Sequence, residues 1–391
     1  MICVGIDVSK DKHDCCIFSS DGQLLLKPFS VPNNRDGFDS LYSAVRSFEN
    51  DPDKVKVGLE ATGHYSFNIL GYLLEKGIHC FVFNPLHTNL YRKSLTLRKT
   101  KTDKVDSKII AKMLLSEVDL KPYSKTLYHN EQLKSLSRYR FSKIRERGNL
   151  KQQLARLVNI LFPELEALAP SLHLSSVYAL LEEFPGASYV AKAHITRLSN
   201  LLCASSKGHY KKDKAVEIRN AASSSVGSVI PAKSLELKHT IQLIRILSEE
   251  IDEIETQIQE IMEKIHSPIT SIPGLGFRMA AMILSEIGDF SKFDSPDKIL
   301  AFAGISPSTY QSGKLDNAYA HMEKRGSRYL RYALYNAAVY VCHWDKTFSA
   351  YLQKKRAEGK HYYVALSHAI KKLVRVIYRL QLTGEPYRPA V

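Results

Sequence analysis

Leu237, Ile244, Ile251, Ile258 and Ile265 stand seven residues apart, and Leu247, Ile254 and Ile261 fill the positions between them, with Thr240 the exception. An apolar repeat of this period is the a/d pattern of a coiled-coil helix, so residues 235–265 predict one long helix with an apolar seam. Its outer face is acidic, through Glu249, Glu250, Asp252, Glu253, Glu255, Glu260 and Glu263. Residues 131–161 have the opposite character. Leu133, Leu136, Leu150, Leu154, Leu157 and Leu161 form an apolar stripe, and Lys134, Arg138, Arg140, Lys143, Arg145, Arg147, Lys151 and Arg156 cover much of the remainder. The acidic helix can pair with this basic helix or with its own copy in a second subunit, and the pattern does not choose between them.

The segments on either side differ from this helical centre. "ICVGIDV", "HDCCIFS" and "QLLLKPFSV" read as three short strands, the last two joined by "SSDGQ", whose Asp-Gly is a strong hairpin signal. "RDGFDSLYSAVRSFE" is a helix by the spacing of Phe38, Leu41, Tyr42, Val45 and Phe48. "KVKVGLEAT" (strand), "SFNILGYLLEKG" (helix) and "IHCFVFNP" (strand) follow, and a basic helix then runs to about Leu115. Such an order predicts a mixed α/β sheet with helices on its faces. Past the linker-like "EVDLKPYSKTLYHN" the chain reads as helical, and from 268 a third unit opens with the tight turn Pro273-Gly274-Leu275-Gly276. The expected division is 1–125 (α/β), 126–266 (helical, with the coiled coil) and 267–391 (mostly α-helical).

Fifty-five Lys and Arg against 40 Asp and Glu leave a net charge of +15 on 391 residues. An excess of this size points to a polyanionic partner, nucleic acid first. No apolar stretch approaches a membrane span, and "MICVGIDVSK" lacks the pattern of a signal peptide. The six cysteines include no C-x-x-C pair, which argues against a zinc or redox motif and fits free thiols in a reducing cytosol.

Four carboxylates stand out against the basic background. Asp7 follows Ile2, Val4 and Ile6 in a short apolar strand, where an acid is costly without a partner. Glu60 ends the strand "VKVGLE", at a carboxyl edge where open α/β sheets place their sites. Asp103 and Asp106 are three residues apart, on one helix face, among Arg98, Lys99, Lys101, Lys104 and Lys108. Taken singly, each acid has an ordinary alternative: a solvated strand end, a salt bridge, or a helix cap, since Thr100 with Asp103 fits a capping box. Taken together they suit Mg2+, a hard cation held by carboxylates against a substrate phosphate, with the lysines on the nucleic-acid backbone.

Asp7 in "GIDVSKDKH", Glu60 in "LEATGHY", and Asp103 with Asp106 in "KTDKVDSKIIA" resemble the DEDD transposases, an insertion-sequence family that also includes the Piv-type DNA invertases. The match covers nearly the whole chain, with the four acids in family order. The resemblance implies an RNase H/RuvC-like N-terminal domain and a C-terminal transposase domain with a nucleophilic serine. In "LAFAGISPSTYQSGKLD" that serine corresponds to Ser312; on its own residues "QSGK" reads as a turn. The resemblance further implies cutting and rejoining of DNA (element ends and target), direction by a structured guide RNA, and a prokaryotic cytoplasmic, nucleoid-associated setting. A homo-oligomer, dimer or tetramer, would use the coiled coil. Arg138, Arg145, Arg325 and Arg328 are candidate nucleic-acid contacts, as are Gly274 and Gly276, whose turn resembles a helix-hairpin-helix with amides meeting a phosphate. Ser327 reads as a helix N-cap. Competing readings are a RuvC-like nuclease or junction resolvase using water, an actin-like ATPase, which would need a second glycine-rich phosphate loop not found here, and a non-catalytic scaffold.

Overall fold

The computed structural model describes residues 1–60, 65–83, 85–95, 103–116, 122–123, 126–306, 311–312, 315–316, 322 and 324–389, with side chains at all of these except 86, 103–104, 126–130, 311–312 and 315–316. Two compact units divide the chain, Met1–His129 and Asn130–Val391.

The first unit is built on a five-stranded sheet in the order β3-β2-β1-β4-β5. The strands are β1 (Ile2–Val8), β2 (Lys12–Ser19), β3 (Leu24–Pro32), β4 (Val55–Glu60) and β5 (His79–Phe83). β1, β2 and β3 pair antiparallel, whereas β1, β4 and β5 run parallel. The hairpin between β2 and β3 turns at Gly22, whose φ of 82° suits a residue without a Cβ. Alternation along β1 separates two faces. Ile2, Val4, Ile6 and Val8 pack with Phe38, Leu41 and Val45 of α1 (Arg35–Arg46) and with Ile69 and Leu73 of α2 (Ser66–Glu75). Asn34 caps α1, its side chain accepting from the Gly37 amide.

The opposite face carries α4 (Asp103–Ser116), preceded in the chain by α3 (Pro85–Leu95). Gly5 and Gly58 are register partners on β1 and β4. A Cβ on Gly5 would lie 2.1 Å from the Ser107 carbonyl oxygen and 2.5 Å from the Ala111 nitrogen; one on Gly58 would lie 2.8 Å from Ile110. These two missing side chains form the trough in which α4 lies. Helix α3 falls on residues the sequence pattern leaves unassigned.

In the second unit, α5 (Thr126–Leu161) and α11 (Pro231–Ile265) run antiparallel. Arg140 pairs with Glu255 at 2.6 Å and Lys143 with Glu250 at 2.6 Å, while Gln153 donates to Glu236 at 2.9 Å. Burial pushes the Glu255 carboxyl up, but Arg278 and Arg140 outweigh it and hold the group below its ordinary value. The acidic helix therefore meets the basic one inside a single chain. α5 starts within the stretch read as a linker. The seam of α11 also departs from a strict heptad. Leu237, Ile244, Ile251 and Ile258 are buried, but the stripe then passes to Met262 and leaves Ile265 exposed, the drift expected of a straight helix with 3.6 residues per turn.

Two cores flank this pair. Leu154, Leu157 and Leu161 join Leu237, Ile241 and Ile244 and the short helices α6 (Leu165–Leu168), α7 (Ser175–Glu183), α8 (Ala187–Lys192), α9 (Ile195–Ser205) and α10 (Lys212–Ser223). The other core joins Leu133 and Ile258 to α12 (Phe277–Ile287), α13 (Pro296–Phe302), α14 (Arg328–Trp344), α15 (Lys346–Ala357) and α16 (Tyr362–Thr383). All six cysteines are free, and five are buried; burial pushes the Cys16 thiol up to about 11 and Cys80 to about 12. Among the described residues, no helix is long and apolar enough to cross a membrane.

Candidate active site

The register of β1 with β4 runs to Ile6 opposite Leu59, so Asp7 and Glu60 follow side by side at the carboxyl ends of two parallel strands. Neighbouring strands lie about 4.8 Å apart. Each acid comes two residues after a glycine of the trough, and so points to the α4 face. Gly5-Ile6-Asp7 and Gly58-Leu59-Glu60 are thus one device used twice: the glycine admits the helix, and the acid stands beyond it. Gly5 lies under Ser107 and Ala111, whereas Cys3 shares a cluster with Met113 and Leu114. α4 therefore begins over the carboxyl ends of the strands, and Asp106 is carried to the same end of the sheet.

Asp106 is buried, and Arg92 of α3 donates to its two carboxylate oxygens at 3.1 and 3.5 Å. Asn89 accepts from the same guanidinium at 2.9 Å and fixes its direction. Asp7 and Glu60 both have polar partners of their own. Asp103 is the first residue of α4, but its side chain lies outside the described residues, as do that of Lys104 and the whole of Lys99 and Lys101. Among the described residues, no three His, Cys, Asp or Glu side chains are grouped closely enough to hold a metal ion. The donors present are carboxylate oxygens, which suit a hard divalent cation, and Arg92 supplies positive charge at Asp106.

Sequence reasoning missed two residues here. Asp14 of β2 is the register partner of Asp7, on the same face, and is 2% exposed. It accepts from Ser30 at 2.6 Å and pairs with Lys12 at 3.2 Å. Like charges directly opposite one another in a sheet are unfavourable unless a cation offsets them. Arg92 is the second. Arg92→Ala is expected to leave Asp106 buried without its guanidinium and to cost about 1–3 kcal/mol, discounted because Arg92 is partly exposed. A urea titration of the variant checks this; an unchanged midpoint would mean that Arg92 does not hold Asp106 in solution.

In the second unit, Gln311–Ser312 pairs antiparallel with Leu315–Asp316, so the backbone at Ser312 belongs to a short hairpin. The Ser312 side chain lies outside the described residues. The base of this loop is closed by two glycines. Gly304 (φ 67°) would place a Cβ 2.5 Å from the Arg325 carbonyl oxygen, and Gly326 (φ 130°) one 2.1 Å from that of Phe302. Ser327 then caps α14, accepting from the Leu330 amide, and its hydroxyl donates to Glu286 at 2.6 Å.

Arg138, expected to meet phosphate, is committed to Glu286 through two hydrogen bonds of 2.6 and 3.0 Å. Burial lowers the pKa of this guanidinium, but the Glu286 carboxylate outweighs it and raises it. Arg145, Arg325 and Arg328 are exposed. Gly274 (φ 86°) approaches the Tyr340 carbonyl, where a Cβ would lie at 2.6 Å, so its freedom serves packing against α14. Gly276 caps α12 and faces open space.

Residues 4–163 match the family model DEDD_Tnp_IS110, described as "Transposase", and residues 266–353 match "Transposase IS116/IS110/IS902 family". The chain is 24% identical to the insertion element IS116 uncharacterized 44.8 kDa protein of Streptomyces clavuligerus, over 100% of this chain and 96% of that protein. It is 23% identical to the insertion element IS900 uncharacterized 42 kDa protein of Mycobacterium paratuberculosis, over 99% and 97% of the two chains. It is 22% identical to the pilin gene-inverting protein of Moraxella bovis, over 98% and 97%.

Proposed function

This chain belongs to the family of DEDD-type IS110 transposases, enzymes that cut and join DNA, and from that premise we propose that it recombines DNA through a serine nucleophile, Ser312, assisted by a Mg2+ site at Asp7, Glu60, Asp103 and Asp106. The observation that carries the reading is the pairing of Asp7 with Glu60 at the carboxyl ends of β1 and β4, under the start of the helix that bears Asp106. A bound cation would neutralise charge on the scissile phosphate. The sheet fixes Asp7 and Glu60 and α4 carries Asp106 to the same end, but these three are not gathered closely enough to hold an ion, so Asp103 and the substrate phosphate would complete the site.

The Ser312 hydroxyl attacks phosphorus, loses its proton, and displaces one deoxyribose oxygen, which leaves as the free hydroxyl. One phosphodiester bond is exchanged for another, so the strand can be resealed by the reverse attack without an external energy source. The Gly304–Gly326 closure holds the serine loop at its base. Exposed Arg145, Arg325 and Arg328 meet the backbone of the nucleic acid. A structured guide RNA selects the donor and target sites, which suits a chain with a charge of +15. The α11 seam is occupied by α5, so a homo-oligomer must use another face, where Leu243 and Ile246 are exposed.

The test is a reconstitution with element-end DNA, target DNA, Mg2+ and the transcript flanking the element. Joined product is expected, with EDTA reducing it by about a thousandfold or more, the scale on which a lost charge-stabilising group acts. Equal product in EDTA would remove the metal from the reading.

A further inference from the structure

A cavity of about 170 Å³ opens between α5 and α14, lined by Phe141, Arg145, Glu146, Asn149, Arg328 and Tyr329 among others. We propose that it is a socket for a single unpaired nucleotide of the bound nucleic acid, built from residues other than the carboxylates and the serine. This inference uses only the nucleic-acid part of the preceding reading.

The lining has the chemistry of a base-stacking platform. The Tyr329 ring has the Arg138 guanidinium 4.7 Å from its centroid and that of Arg328 at 4.8 Å. Phe141 stands edge-on to Tyr329 at 5.2 Å, and Arg145 lies 5.8 Å from the Phe141 centroid. Aromatic rings and guanidinium planes are the surfaces on which proteins stack splayed-out bases. Arg145 and Arg328 are exposed; Arg328 donates to the Tyr329 hydroxyl at 2.9 Å, a neutral partner that a phosphate would displace. Glu146 and Asn149, also exposed, offer an acceptor and an amide to the edge of a base. The volume suits one flat ring system and lies below the roughly 300 Å³ at which drug-sized pockets begin. Paired strands cannot enter it.

The platform is fixed before any ligand arrives. Buried Glu286 holds Arg138 by two hydrogen bonds and Ser327 by a third. That arrangement sets both Tyr329 and the first turn of α14. Gly326, which closes the serine loop, immediately precedes Ser327. A nucleotide seated here would be gripped at the root of that loop, and the strand beside it held in register.

The experiment uses the full-length protein with three probes of one sequence, each carrying 5-iodouracil: single-stranded DNA, single-stranded RNA and blunt duplex DNA. Photo-crosslinked peptides are mapped by mass spectrometry, and affinities are read by fluorescence anisotropy. Crosslinks to Tyr329 or Phe141 from a single-stranded probe, and none from the duplex, are expected; the probe that reacts identifies the strand as DNA or RNA. Arg145→Ala with Arg328→Ala, both on the surface, should weaken single-strand binding roughly tenfold or more, the scale of one lost stacked base. Crosslinks elsewhere with unchanged single-strand affinity, while the duplex still binds, would overturn the socket and leave the recombinase reading standing. Binding of none of the probes would overturn both.

Discussion

Gly5→Val is expected to lower the melting temperature of the protein's N-terminal unit by roughly 10 °C, following a loss of about 3 kcal/mol or more. The new Cβ would sit 2.1 Å from the Ser107 carbonyl oxygen and 2.5 Å from the Ala111 nitrogen, both backbone atoms of α4. A flexible side chain can turn aside; a helix backbone must move as a whole. Shifting α4 also uncovers Cys3, Phe81 and Phe83 of the sheet, which pack against its Ile110 and Met113. Any protein that still folds should lose activity, because Asp106 travels with the helix. Gly71→Ala is the control. Gly71 lies within α2, an added Cβ meets nothing within 4 Å, and helix propensity predicts a gain of up to about 1 kcal/mol. Thermal melts followed by circular dichroism separate the two. Equal melting of Gly5→Val and wild type would show that α4 does not rest in this trough.

Asp7→Asn is expected to cut recombination by about a thousandfold or more, the scale on which charge-stabilising groups act at a reacting phosphate, while leaving stability within about 1 kcal/mol of wild type. The small stability change follows from its neighbour. Removing the Asp7 charge relieves its opposition to Asp14, worth about 0.2–1 kcal/mol, and this offsets partners that Asp7 loses. Asp14→Asn should behave differently. It weakens charged contacts to Ser30 and Lys12 in a buried position and should cost about 1–3 kcal/mol. An Asp7→Asn protein that recombines normally would exclude a catalytic role for the carboxylate end of the sheet. A variant that unfolds would instead assign Asp7 to structure.

The strands were readable because their apolar residues alternate and their turns carry Gly and Asp. α1 was readable from Phe38, Leu41 and Val45, all of which are buried. The α11 repeat gave the helix, yet the partner on its seam depended on charges more than a hundred residues away, such as Arg140 to Glu255. α3 was missed: its Leu90 is exposed and its apolar positions draw no clear stripe.

Asp7 and Glu60 were singled out from position in their strands, and the Gly-x-acid pattern that explains why they stand side by side was present in both segments but unused. Asp14 was not found because its relation to Asp7 exists only in the register of β1 with β2. Arg92 and Asp106 meet across two helices. Arg138 looked like a phosphate ligand because a basic helix face carries no sign of the buried Glu286 that engages it, 148 residues away.

The most direct test is a denaturing gel for protein-linked DNA, run after incubation with element-end DNA, Mg2+ and the flanking transcript. The wild-type chain should give an adduct that survives denaturant, and Ser312→Ala should abolish it while the protein still binds DNA. Cleavage without any adduct, unchanged in Ser312→Ala and lost in Asp7→Asn, would contradict the serine mechanism and leave a nuclease that uses water.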